Sequence, residues 1–168
     1  MIESARALVG NPAIQFVLSG SGERDAEWRR QAAGLRNVVF TGWAGSEELL
    51  WLSRVAWAGL AAYRVGASMS LPNKLFEYMS MGLPVVLGLA GEARALVVSE
   101  GLGAVYEPGS TESLVEVINR IVLDPEWRAE SASRARHLFE KRYSFATLYA
   151  EYAVFLEEQA RQSWAGSR

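Results

Sequence analysis

The residues best suited to chemistry lie close together, between positions 70 and 86. That stretch reads Ser-Leu-Pro-Asn-Lys-Leu-Phe-Glu-Tyr-Met-Ser-Met-Gly-Leu-Pro-Val-Val, which is typical of a loop, a helix, a tight turn and a buried strand. On a helical wheel Asn73, Lys74 and Glu77 fall within an arc of about 100°, while Leu75 and Met79 point to the opposite side. An ammonium group and a carboxylate therefore share the solvent face of a helix near its first turn.

Such a helix start has the chemistry of a diphosphate site. We expect Pro72 at the first helical position, where its missing N–H costs nothing. Free backbone N–H groups, the positive end of the helix dipole and the Lys74 ammonium can together hold a diphosphate. Glu77, one turn further on, can accept two hydrogen bonds from a vicinal diol such as a ribose. Glu92 opens the following helix and can face the same cleft, or serve its own helix dipole alone.

A simpler alternative is that Lys74 and Glu77 form only an exposed ion pair, three residues apart. Such a pair would stabilise the helix by about 0.2–0.5 kcal/mol and would have no further role. The chain has only two lysines against fifteen arginines, and one of the two lies here. That scarcity favours a specific role for Lys74.

The composition excludes several other kinds of site. The 168 residues contain no cysteine, one histidine and two aspartates that lie far apart, Asp25 and Asp124. This leaves no ligand set for a Cys- or His-based metal centre and no Asp pair for a divalent cation. A formal net charge of −2 argues against a nucleic-acid partner. No apolar run approaches the roughly 18 residues that indicate a membrane-spanning helix, so we expect no transmembrane segment and a cytoplasmic location.

The alternation of short apolar runs with longer amphipathic stretches predicts an α/β fold. The runs are near-continuously apolar, which is typical of parallel strands buried on both faces. We expect a Rossmann-like, doubly wound domain over 1–162, with a mainly parallel sheet of five to six strands flanked by helices, and a frayed tail at 163–168. The predicted strands are 14–19, 38–41, 56–62, 84–87 and 104–106, and the predicted helices are 2–9, 23–34, 46–54, 73–82, 91–100, 111–123, 126–142 and 145–160.

Both ends of this pattern raise a question. A doubly wound domain usually opens on a strand, whereas this sequence opens on a predicted helix, so either a first strand is missing or the sheet is small. The last predicted helix carries an apolar stripe at helical spacing, which docks either onto the domain's own sheet, the simpler interpretation, or onto a second domain. That stripe is made of Phe145, Leu148, Tyr149, Tyr152, Phe155 and Leu156. Ser110 and Ser144 are expected to cap the helices that follow them.

The motif at 72–86, Pro-Asn-Lys-Leu-Phe-Glu-Tyr-Met-x-x-Gly-x-Pro-Val-Val, resembles the nucleotide-sugar-binding motif of glycosyltransferase family 4. Members of that family are retaining enzymes of the GT-B fold. The glycine loop at 16–23, the strand and turn at 37–43 and the segment at 103–109 are similar to other parts of the family, so the resemblance covers nearly the whole chain. It implies that the chain is one half of a GT-B fold, the donor-binding domain, without its first strand.

The resemblance also implies roles for individual residues. Glu77 would bind the ribose hydroxyls of a nucleotide-diphospho-sugar, expected to be a UDP-sugar, and Lys74 with the neighbouring loop backbone would hold the diphosphate. Two loops, Gly20–Gly22 and Gly42–Trp43, would border the nucleotide. Apart from the resemblance, the position of Trp43 after the Gly42 turn makes it the tryptophan that we expect to stack on a base. The expected substrate-binding residues are Gly20, Gly22, Gly42, Trp43, Ser70, Leu71, Pro72, Asn73, Lys74 and Glu77.

Two departures from the family pattern limit this carry-over. The usual glutamate pair has seven residues between its members, and the first position is Met69 in this chain, which cannot replace a carboxylate. The basic residues that stabilise the leaving diphosphate in that family would lie upstream of Met1. No catalytic residue is therefore assigned, and no cofactor or metal is expected.

The expected function is transfer of a hexosyl-type sugar to an acceptor hydroxyl with retention of configuration, in polysaccharide or lipid-linked glycan synthesis. An N-terminal acceptor-binding domain would complete the enzyme, which would be cytoplasmic or peripheral at the membrane, and the isolated donor domain would be inactive. The alternative is a non-catalytic, degenerate interaction module. This alternative is suggested by Met69, which occupies the position of the missing first glutamate. A third reading, NAD binding at Gly20-x-Gly22-x-x, is weakened because Asp25 stands where a third glycine should be.

Overall fold

The computed structural model describes residues 1–165, which form five β-strands alternating with α-helices. Every strand pairing is parallel. The strands are β1 (Phe16–Ser19), β2 (Val38–Gly42), β3 (Gly59–Ala62), β4 (Val85–Gly88) and β5 (Gly103–Val105). The helices are α1 (Ile2–Ala7), α2 (Asp25–Gln31), α3 (Ser46–Val55), α4 (Asn73–Ser80), α5 (Glu92–Ser99), α6 (Thr111–Leu123), α7 (Pro125–Leu138) and α8 (Phe145–Ala165). The predicted fold class, a Rossmann-like α/β domain of the kind that makes up half of a GT-B enzyme, is confirmed.

The five strands form two parallel sheets rather than the single sheet we expected. One sheet has the order β1-β2 and the other the order β3-β4-β5. The sheets are nevertheless neighbours, because Leu60 of β3 packs against the cluster around Phe16 of β1. Helices α1 and α6 cover this junction on one face.

The core is centred on β4, whose four residues are all buried. Leu75 and Met79 of α4 and Val97 of α5 pack on one side of this strand. On the other side Val86 joins a cluster with Leu114 of α6 and with Tyr106. The prediction of a strand buried on both faces is therefore confirmed for β4.

The prediction of burial on both faces is wrong for β1 and β2. Phe16 is buried under α1, but Val17 and Val39, on the opposite face, are 44% and 39% exposed. Helix α3 has no buried residue, and its Trp51 is 60% exposed. The prediction that these apolar runs form strands is thus correct. One face of β1 and β2, however, lacks a covering layer within the described part of the chain.

The C-terminal region departs from the prediction in two ways. The helix expected over 126–142 divides into α7 and a π-helical segment, Phe139–Tyr143, which is anchored where Tyr143 meets the Phe76 ring with centroids 4.8 Å apart. The apolar stripe of α8 does not dock on the domain's own sheet, because its side chains are between 47% (Leu148) and 72% (Phe145) exposed.

Both expected helix caps are formed. Ser110 Oγ accepts a hydrogen bond of 3.1 Å from the Ser113 N–H, and Ser144 Oγ accepts one of 3.2 Å from the Thr147 N–H. Helix α8 runs to Ala165, so the tail expected to fray from residue 163 begins inside this helix. Residues 166–168 of that tail lie outside the described residues.

Two tyrosine rings pack directly on strand glycines. The ring of Tyr78 covers Gly59 of β3, and the ring of Tyr106 covers Gly88 of β4. A Cβ atom at either glycine would overlap the ring. The Tyr78 hydroxyl also donates a 3.2 Å hydrogen bond to the Leu60 carbonyl.

Replacing Gly88 by alanine should lower the free energy of unfolding by about 1–3 kcal/mol, because the added methyl group overpacks the core against Tyr106. Urea denaturation measures this change. Gly10→Ala is the matched control, since nothing lies within 4 Å of a Cβ atom at that exposed turn. Equal unfolding midpoints for the two variants would contradict the packing described for Gly88.

Because Tyr78 and Tyr106 are buried in these contacts, we expect the chain to lose stability at high pH. Burial raises the pKa of Tyr78 to about 12, with a smaller contribution from the Glu77 carboxylate, and burial raises the pKa of Tyr106 to about 12. The unfolded chain releases these protons at about pH 10, before the folded chain does. The free energy of unfolding should therefore fall as the pH rises from about 10 to about 12.

The double variant Tyr78→Phe/Tyr106→Phe should show a shallower fall over this range in urea denaturation. Tyr149→Phe, on the exposed side of α8, is the control and should keep the steep fall of the unmodified chain. A double variant with the unmodified slope would show that these two hydroxyls do not cause the alkaline loss.

Candidate functional site

The candidate site begins where the chain leaves β3. Strand β3 ends at Ala62, the connection crosses the carboxyl edge of the sheet, and α4 then runs back toward the start of β4. Ligands of open α/β sheets bind at this edge. Leu75 and Met79 are fully buried and hold α4 against β3 and β4.

Packing of that face leaves Asn73, Lys74 and Glu77 exposed, as the helical wheel predicted. Pro72 precedes the helix instead of occupying its first turn. Its backbone is extended, with φ −75° and ψ 145°, so it is the N-cap residue, and the expected first helical position was wrong by one residue. Extended backbone is the conformation that a residue before a helix normally adopts.

The first turn of α4 is open to a ligand. No side chain caps this helix, and within residues 1–165 no protein acceptor is hydrogen-bonded to the N–H groups of Asn73 and Lys74. A helix start of this kind carries about half a positive charge. It can therefore receive an anion through backbone donors, as the sequence indicated.

Lys74 and Glu77 do not neutralise each other. Across the described part of the chain, neither side chain takes part in an ion pair. The simpler alternative, an exposed pair that only supports the helix, is thus not observed. The Glu77 carboxylate instead lies near Tyr63, just after β3: partial burial raises the pKa of Tyr63, and the negative charge of Glu77 raises it further.

The loop before α4 is tied to the start of α5. The Ala93 N–H donates a 3.1 Å hydrogen bond to the Ser70 carbonyl, and Ser70 Oγ donates to the Glu92 carboxylate. Leu71 is half-buried and Pro72 is buried, so the apolar members of the loop anchor it from below. These contacts bring Glu92 to the same cleft as Ser70, which is one of the two placements that the sequence left open.

The second group of predicted residues lies at the carboxyl ends of β1 and β2. The Gly20 N–H donates a 2.6 Å hydrogen bond to the Gly42 carbonyl, which joins the two loops. Both glycines have positive φ, 123° and 73°, a region that other residues rarely adopt. Gly22 is exposed beside them, and Trp43 is 81% exposed, with its ring available to a ligand.

The structure therefore arranges the ten predicted residues in two groups, one at the β1 and β2 ends and one at the start of α4. No hydrogen bond within residues 1–165 joins the two groups. Parallel strands place both groups at carboxyl ends of their sheets.

A small cavity that the sequence did not predict has none of the ten predicted residues in its lining. Its volume is about 140 Å³, and it lies between the end of β3 and the start of α6. Tyr63, Arg64, Tyr106, Ser110 and Thr111 are among its lining residues. The only sequence signal was the position of Tyr63 and Arg64 immediately after a buried strand.

None of the helices within the described residues combines the length and the apolar character needed to cross a membrane.

Comparison with known proteins agrees with the fold. Residues 1–124 match the family described as glycosyl transferases group 1. No curated protein sequence matches the chain significantly. Among solved structures, HepE of Anabaena in complex with UDP and glucose superposes with a TM-score of 0.75 and 27% identity, over 92% of this chain and 44% of HepE.

Two further structures share the fold. The C-terminal domain of the group 1 glycosyl transferase LpcC from Francisella tularensis superposes with a TM-score of 0.69 and 21% identity, over 86% of this chain and 77% of that domain. Sucrose-phosphate synthase from Thermosynechococcus elongatus gives a TM-score of 0.69 and 23% identity, over 98% of this chain and 42% of the synthase. The chain thus spans less than half the length of HepE and of the synthase. Because the family match covers most of its residues, the chain belongs to the group 1 glycosyl transferases.

Proposed function

We propose that this domain binds a nucleotide-diphospho-sugar, with a UDP-sugar as the donor, for a retaining glycosyltransferase of family 4 and the GT-B fold. The observation that carries the proposal is the open first turn of α4. There, Lys74 and the first N–H groups have no partner within residues 1–165, and they lie one turn away from the Glu77 carboxylate. HepE, which resembles this chain at 27% identity, was crystallised with UDP and glucose and with UDP-glucose.

Each part of the site suits one part of the donor. The α4 N-terminus, Asn73 and Lys74 attract the diphosphate through backbone donors and an ammonium group. Glu77 accepts hydrogen bonds from the two ribose hydroxyls. The loops of Gly20, Gly22 and Gly42 border the nucleoside, and exposed Trp43 offers its ring to the base.

The domain would assist transfer by stabilising the leaving group. The bond between the anomeric carbon and the diphosphate breaks, and its electron pair leaves with the diphosphate oxygen. The acceptor oxygen bonds to the anomeric carbon and gives up its proton to the departing diphosphate oxygen. Lys74 and the α4 dipole oppose the negative charge that develops on the diphosphate, which is electrostatic stabilisation of the transition state. Retention and a hexosyl-type sugar are what the family resemblance implies.

The acceptor side of the active site would come from another domain, which agrees with the 44% of HepE that this chain spans. A first strand between β1 and β3 would also join the two sheets, because the doubly wound order 3-2-1-4-5-6 places the first strand between the second and the fourth. The complete enzyme would work in the cytoplasm or at the membrane surface.

Isolated residues 1–168 should therefore bind the donor but transfer sugar at a negligible rate. Radiolabelled UDP-glucose with a panel of glycan acceptors measures transfer, and calorimetry on the same sample measures binding. Transfer by this chain at rates typical of complete enzymes, about 1–1,000 s⁻¹, would contradict the need for a second domain.

Donor binding itself is tested by calorimetry and thermal unfolding with UDP and UDP-glucose. At about 100 times Kd, the ligand should raise the free energy of unfolding by about 2.7 kcal/mol. Glu77→Ala and Lys74→Ala should each weaken UDP binding at least about tenfold, since each removes charge-assisted contacts. The matched controls are Glu116→Ala on α6 and Lys141→Ala, the only other lysine.

The alternative is a non-catalytic interaction module. It is suggested by Met69, which stands in place of a glutamate. The same titrations separate the two functions. Unfolding curves that no nucleotide diphosphate shifts, together with flat calorimetric titrations, would favour the module and refute donor binding.

A further inference from the structure

We propose that Glu92 is a second recognition carboxylate of the donor site, which accepts hydrogen bonds from hydroxyl groups of the transferred sugar. This inference rests on the proposed function. It places the transferred sugar of the ligand at Glu92, whereas Glu77 binds the ribose. The argument uses three observations: the tie between Glu92 and the loop before α4, the lack of a cationic partner, and the direction in which the ligand must lie.

The first observation is that Glu92 is held at the cleft from two sides. Ser70 Oγ donates to its carboxylate, and the N–H of the next residue, Ala93, donates to the Ser70 carbonyl at 3.1 Å. Gly91, with φ 80°, makes the turn that brings α5 to this place. Glu92 remains exposed despite these contacts, so its remaining acceptor positions are open.

The second observation is that no cation neutralises Glu92. Within residues 1–165, no lysine or arginine lies close enough to form an ion pair with it. Arg94, two residues further along, is directed away and pairs with Glu107 at 3.0 Å. A free carboxylate repels phosphate but accepts hydrogen bonds from vicinal hydroxyls. Glu92 therefore suits a sugar and not the diphosphate.

The third observation is the order of groups along the ligand. In a nucleotide-diphospho-sugar, the diphosphate separates the ribose from the transferred sugar. Glu77 lies four residues into the helix from Asn73, a distance of about 6 Å along the axis. With ribose at Glu77 and the diphosphate at the first turn of α4, the transferred sugar lies beyond the start of the helix, toward Ser70. The Glu92 carboxylate lies at the same place.

A helix-dipole role is the competing explanation, because Glu92 lies in the first turn of α5. That role would contribute to stability and would not distinguish UDP from UDP-glucose. Glu126 is a matched control, since it is exposed and occupies the first turn of α7, which follows the end of α6 and not the end of a strand.

The test compares dissociation constants for UDP and UDP-glucose by calorimetry on the 168-residue chain. Glu92→Gln should not weaken UDP binding, because it removes a charge that repels phosphate. It should weaken UDP-glucose binding about fivefold to tenfold relative to UDP binding, since a charged acceptor is lost. Ser70→Ala should weaken UDP-glucose binding less, because it frees the carboxylate without removing it. Glu126→Gln should change neither constant, and unfolding curves without ligand check that each variant is folded.

The outcomes separate this inference from the proposed function. An unmodified chain that does not bind UDP refutes donor binding, and Glu92 loses its role with it. If UDP binds normally, an unchanged ratio of the two constants in Glu92→Gln and Glu92→Ala overturns only the role of Glu92. Equal weakening of both ligands would also overturn it, because Glu92 would then serve to hold the loop in place.

Discussion

Burial of β4 from both faces is the constraint on which the candidate site depends. Leu75 and Met79 of α4 are fully buried against this core, and Leu114 of α6 closes it from the other side. Because helical side chains are fixed in their angular order, burying one face of α4 commits Lys74 and Glu77 to the other. Apolar packing thus sets the direction of the charged groups, and no polar contact is needed to hold the helix.

The charged groups of the cleft differ from those that form ion pairs with each other. Elsewhere, pairs such as Arg24 with Glu27 and Arg29 with Asp25 are 2.8 Å apart and satisfy each other. Lys74 has no such partner in the described residues, and the first turn of α4 has no side-chain cap. Groups left in this state retain their full attraction for a ligand of opposite charge, and they cost little because they stay hydrated at the surface.

Not all large apolar side chains of this chain are buried in the core. Helix α3, the face of Val17 and Val39, and the stripe of α8 all expose large side chains. Contiguous apolar surface of this kind marks contact with other parts of a protein. Helix α8 extends from the π-helical segment, whose Tyr143 ring packs against Phe76.

Local sequence patterns were enough to determine the order of the strands and helices, the caps at Ser110 and Ser144, and the solvent face of α4. These features depend on the periodicity of side chains and on contacts a few residues apart, which a sequence displays directly. The prediction of Pro72 at the first helical position was wrong by one residue, since helix boundaries depend on backbone angles that several residues share.

Only the tertiary structure decided which distant groups meet. It divided the strands between two sheets, left α8 undocked, and brought Tyr63 near Glu77 and Glu92 to Ser70. Those pairings join residues that are far apart in the chain, and the pattern around each residue does not determine them. For Glu92 the sequence left two placements open. The sequence determined the chemistry that each element could present, and packing of the elements decided which of those groups share one cleft.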